Sequence, residues 1–71
     1  MTRRVPTREE LSRVLAMHGA FTASGKIMDG DDQATLEHLR RLRAKLTDER
    51  GTVVERVIRG LEAIMEKSTH P

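Results

Sequence analysis

The sequence predicts an all-α domain of three helices, and three observations carry that prediction. Apolar residues recur at spacings of three and four, the period of a helix face. Side chains that start helices stand at Thr7, Asp31 and Thr52. Glycines fall between the periodic segments, at Gly19, Gly25, Gly30 and Gly51.

The first helix is expected over about 7–20. Thr7-Arg8-Glu9-Glu10 fits a capping box, in which a hydroxyl accepts from free backbone N–H groups and a carboxylate three residues on reaches back. Leu11, Val14, Leu15, His18 and Phe21 then share one face. Glu9 and Arg13 stand four apart as a favourable ion pair. Gly19 weakens the last turn. Residues 22–30, TASGKIMDG, hold two glycines and no sustained period, so they are expected to be a connection, with Ile27 and Met28 tucked onto the core.

The second helix is expected over about 31–50. Asp31 can cap it, and Asp32 suits the positive end of the helix dipole. Leu36, Leu39, Leu42 and Leu46 make its apolar stripe, with Arg40, Arg41, Arg43 and Lys45 spread around the cylinder. Gly51 is read as the stop, and Thr52-Val53-Val54-Glu55 as a second capping box opening the third helix, about 52–67. The hydrophobic pattern almost continues through that break, so one helix over 31–67 is the alternative. On the third helix Val53, Val54, Val57, Ile58, Leu61, Ile64 and Met65 lie on one side. They span about 140° of the cylinder, wider than the ~100° of a simple surface helix.

Seventy-one residues make a single domain, 1–71, with a flexible basic arm over 1–6 and a frayed tail over 68–71. The chain contains no cysteine, which rules out disulfides and thiolate metal sites. A small core without such staples favours oligomerisation, so a homodimer is expected. No apolar run approaches a bilayer span, and the N-terminus lacks the apolar segment of a signal peptide; the expected location is cytoplasmic. Thirteen Lys and Arg against eleven Asp and Glu give a net charge of +2, a mixed solvated surface rather than a polycation. Phe21 is the one aromatic residue, which disfavours base-stacking surfaces and drug-sized pockets.

The stretch HGAFTASGKIMDGDD, 18–32, looks most like a site, yet each specific chemistry fails on spacing. A phosphate loop needs the pattern G-x-x-x-x-G-K-[ST]; here Gly19 and Gly25 are one residue too far apart, and Ile27 replaces the hydroxyl. A calcium loop needs alternating acidic ligands around a central glycine, and DGDDQATLEHLR lacks that order. His18 has no Cys, His or acid at ligand spacing. No nucleophile–base arrangement or metal set is present, so neither an enzyme nor a cofactor, metal or small-molecule substrate is expected.

The expected function is a small protein–protein interaction module, a dimeric regulator or adaptor. It would act through the third helix's face: Val54, Val57, Ile58, Leu61, Ile64 and Met65. One alternative is a dimeric DNA-associated regulator using Arg3, Arg4, Arg40, Arg41, Arg43 and Lys45 on phosphates. Another is a structural subunit of a larger assembly.

Overall fold

Thr7 starts the first helix as its chemistry predicts: its hydroxyl accepts from the Glu10 N–H at 3.1 Å. The computed structural model describes residues 5–69, with side chains through residue 67. Four helices fill this span: α1 (Arg8–Met17), α2 (Phe21–Met28), α3 (Asp32–Lys45) and α4 (Glu49–Thr69). The all-α expectation stands at the level of class; the helix count is four.

The extra helix comes from the stretch read as a connection. α1 ends at Met17, three residues before its expected end, in a tight cap. Gly19 takes the left-handed conformation, φ +81°, and its N–H bonds the Ala16 carbonyl at 3.1 Å. The Ala20 N–H returns to the Leu15 carbonyl at 2.8 Å, completing the paired bonds of a Schellman motif. The chain re-enters a helix at once. α2 therefore contains Gly25 and Lys26, both expected outside any helix. It forms because Ala23 and Ile27, one turn apart, are both buried, while Ser12 of α1 donates its hydroxyl to the Ser24 carbonyl at 3.2 Å. Ile27 is in the core as expected. Met28, its neighbour, is 60% exposed and is not.

The α3–α4 junction also differs from expectation. α3 stops at Lys45, five residues early, where Leu46 becomes extended. Asp48, rather than Thr52, caps α4: its carboxylate accepts from the Arg50 N–H at 3.0 Å. Gly51 lies inside the first turn of α4 and stops nothing. A Cβ placed on it would lie 2.7 Å from the Leu46 carbonyl oxygen, so the residue is small because the turn's own backbone lies against it. The single helix over 31–67 is thus excluded by a real break at 46–48. At the other ends, α4 runs to Thr69, into the residues expected to be a frayed tail. Val5 and Pro6 are half-buried rather than a free arm. The rest of that arm, residues 1–4, lies outside the described residues, as do His70 and Pro71.

The helices close a ring: α1 packs on α2 and α4, and α3 packs on α2 and α4. Inside it, Leu11 and Leu15, Ala23 and Ile27, Leu36 and Leu39, and Val54, Val57, Ile58 and Leu61 form one buried cluster. Each large side chain buried there contributes about 1.5–3 kcal/mol from desolvation. Thr35, the buried polar residue among the described ones, donates its hydroxyl to the Asp31 carbonyl at 2.7 Å, which removes the cost of its burial. Arg8 ties the start of α1 to the start of α3 through two hydrogen bonds to Asp32, at 3.1 and 2.7 Å. Those bonds, and then the carboxylate's charge, raise the Arg8 pKa above the ordinary guanidinium value. No helix among the described residues is long and apolar enough to cross a membrane.

Candidate protein-binding groove

The wide stripe of α4 meets two neighbours, as its width implies, and both belong to the same chain: α1 on one side and α3 on the other. Of the six residues expected to form a docking face, Val54, Val57, Ile58 and Leu61 are buried in this core. Ile64 and Met65 are partly buried and packed against it. Little of that face is left for a partner.

Apolar surface is instead exposed where α1 turns into α2. Met17 is 82% and Phe21 71% exposed. The cause is helical phase. Leu11 and Leu15 set the inward face of α1, and Met17, two residues past Leu15, points about 200° away. Ala23 and Ile27 set the inward face of α2, and Phe21, two residues before Ala23, faces outward by the same argument. Phe21 shares a face with Leu11 only if α1 continues through 21. The Gly19 turn resets the phase.

These two side chains flank a groove made of three adjoining depressions. One lies between α1 and α4, lined by Val14, Met17, His18, Val53 and Arg56 among others. The next sits under the α1–α2 corner, where His18, Ala20, Leu42, Leu46, Arg50 and Val53 meet. The third continues past Gly19, Ala20 and Leu42 to Phe21 and His38. Shared walls, His18 and Val53 at one junction and Ala20 and Leu42 at the other, make the surface continuous. His18, expected on the buried face of the first helix, is the exposed C-cap residue of α1 and a wall of this groove.

The charged residues that line the groove are Arg50 and Arg56, with His18 and His38 as titratable neighbours; no carboxylate lines it. Arg50 leans back on Asp48, with Nε at 3.2 Å from Oδ2. These side-chain bonds, followed by the Arg50 backbone N–H, hold the Asp48 pKa below the ordinary 3.8. Among the described residues no ion pair claims Arg56.

The cations considered for nucleic acid are divided. Arg40 faces Glu62 of α4 at 3.8 Å, and Arg43 pairs with Glu55. Arg41 and Lys45 are exposed on the outer surface of α3. Arg3 and Arg4 lie outside the described residues. The acidic run also disperses. Asp31 caps α3 through the Ala34 N–H at 3.1 Å, Asp32 pairs with Arg8, and Asp29 closes α2. Among the described residues no group of three or more His, Asp or Glu side chains is placed to hold a metal ion.

Sequence reasoning missed Met17 and Phe21 as surface residues. For Phe21 the signal is Gly19 read as a left-handed turn between two helices rather than as weakness within one; Met17 already falls opposite Leu11 and Leu15 by spacing. Comparison with protein-family models, with curated proteins and with solved structures finds no match to this chain.

Proposed function

We propose that this chain is a small non-enzymatic protein–protein interaction module, a regulator or adaptor whose docking surface is the groove at the α1–α2 corner. The observation that carries the reading is the pair Met17 and Phe21, 82% and 71% exposed beside a continuous, partly apolar depression. Covering a side chain of this size on a partner returns about 1.5–3 kcal/mol, and Met17 and Phe21 offer one such side chain at each end of the groove. Methionine also adapts its shape to the surface it meets. The expected homodimer drew on the α4 stripe. With most of that stripe packed internally, the reading rests on the corner and does not require self-association.

The test is partner capture from the native cell, with and without nuclease, comparing the wild type with a Met17→Ser/Phe21→Ser variant. Both side chains lie outside the core, so the variant should keep its helical circular dichroism and a stability within about 0.5 kcal/mol of wild type. It should lose the partner. A partner retained by the folded variant sinks the reading. Capture abolished by nuclease would transfer the function to the nucleic-acid alternative.

A further inference from the structure

Resting on the interaction reading above, we propose that the occupant of the corner groove is an acidic amphipathic helix of a partner protein. The charge distribution supports this first. Elsewhere on the described surface most arginines are held by the chain's own carboxylates, Arg8 by Asp32, Arg13 by Glu9, Arg40 by Glu62, Arg43 and Arg59 by Glu55, with Arg41 the exception. Along the groove the balance changes. Arg56 has no such partner among the described residues, and no carboxylate lines any of the three depressions. Arg50 is held by Asp48 in an exposed pair, and an exposed pair gives up its arginine to an incoming carboxylate at little cost.

Shape is the second support. No strand is present among the described residues, so there is no sheet edge for an extended peptide to join. Three depressions in a row with apolar floors instead suit side chains at positions i, i+3 or i+4, and i+7 of a helix. Val14 and Val53 floor the first, Leu42 and Leu46 the second, and Leu42 continues into the third. Acidic residues on such a helix would meet Arg56 at the first depression and Arg50 at the second.

A second copy of this chain fits less well. A two-fold contact through the groove sets the same patch against itself, bringing Arg56 and Arg50 of both copies into one interface without carboxylates in either lining. Nucleic acid would satisfy the arginines and leave Met17 and most of the apolar floor without a use.

The experiment titrates the full chain, with its methyl groups followed by NMR, with two synthetic peptides. Both carry the same leucine stripe at helical spacing; one has glutamate at the flanking positions and the other lysine. The glutamate peptide should bind at least about tenfold more tightly, and its affinity should fall as salt is raised. The shifts should concentrate at Met17, Val53 and Leu42. Arg50→Glu/Arg56→Glu should reverse the preference, and Arg56→Gln alone should reduce it, with helical content checked for each. Equal binding of the two peptides, binding of neither, or shifts centred on Arg41 and Lys45 overturns the proposal. Concentration-dependent self-association of the free chain, abolished by Met17→Ser/Phe21→Ser, also overturns it, by assigning the groove to a second copy while the interaction reading stands. A captured cellular partner that the folded Met17→Ser/Phe21→Ser variant retains fails the interaction reading itself.

Discussion

The inner face of α4 and the corner between α1 and α2 exchange the roles their composition suggests. α4 carries the widest apolar stripe in the chain and uses it internally, with Leu61 fully buried between its neighbours. The corner reads as a hinge of small and polar residues, yet it exposes Met17 and Phe21. The number of apolar residues in a segment therefore does not say whether its surface is available. What decides is where its apolar residues fall relative to the neighbours. Every helix of the ring meets two others; the stripe of α4 faces both of its neighbours, whereas Met17 and Phe21 fall on the faces of α1 and α2 that point away from theirs.

The strongest way to break this comparison is Leu61→Ala. Emptying a fully buried leucine site should cost about 2–5 kcal/mol, a large share of the ~4–10 kcal/mol expected for a domain of this size. Urea denaturation measures it. An unchanged midpoint together with a change in oligomeric state would return α4 to the role of docking face.

Gly51→Ala should come next, costing about 1–3 kcal/mol, because the added methyl meets a backbone carbonyl that has no freedom to swing aside. Asparagine sharpens the contrast between the two corners. At Gly19 nothing lies within 4 Å of an added Cβ and only the positive φ is demanding, so Asn should be tolerated there. At Gly51 Asn should be as damaging as Ala. Equal effects at the two positions would mean that both are left-handed turns and that the α3–α4 junction has been misplaced.

Gly25→Ala tests α2 itself. The position is exposed, helical and open around its Cβ, so alanine should stabilise the fold by about 0.5–1 kcal/mol through helix propensity. Thermal unfolding would show a higher midpoint. A lower one would mean that residues 21–28 are not helical in solution.

The smallest effect is expected from the cap of α4. Asp48 has a folded pKa below its ordinary value, so the unfolded chain binds more protons as the pH drops. Its contribution is fully present above about pH 4 and disappears as the pH falls through the depressed folded value. The stability difference between wild type and Asp48→Asn should be constant at neutral pH and shrink in acid. A difference that grows in acid would contradict the capping geometry.

Much of the local structure is legible in the residues alone. Thr7 and Asp31 cap helices as their side chains predict, and Glu9 pairs with Arg13 at 2.8 Å. The leucines of α3 and Val54 and Val57 of α4 fall on the faces their spacing assigns. The errors share one origin. Gly19, Gly25 and Gly51 look alike in a sequence, and local chemistry does not distinguish a left-handed cap, a tolerated helical position and a crowded turn. Reading Gly25 as a breaker hid α2, and reading Gly51 as a stop moved the α3–α4 break by several residues.

The sequence by itself determined the helical class, the starts of α1 and α3 and which residues are apolar, because capping and periodicity act within a turn or two of chain. Only the tertiary structure decided which apolar faces are consumed and which remain. Burial depends on the partners that a face meets across the ring, and those partners are set by the phase at which each helix leaves its turn. One left-handed residue, Gly19, is enough to carry Phe21 to the surface, where it joins Met17 along a groove edged by Arg50 and Arg56.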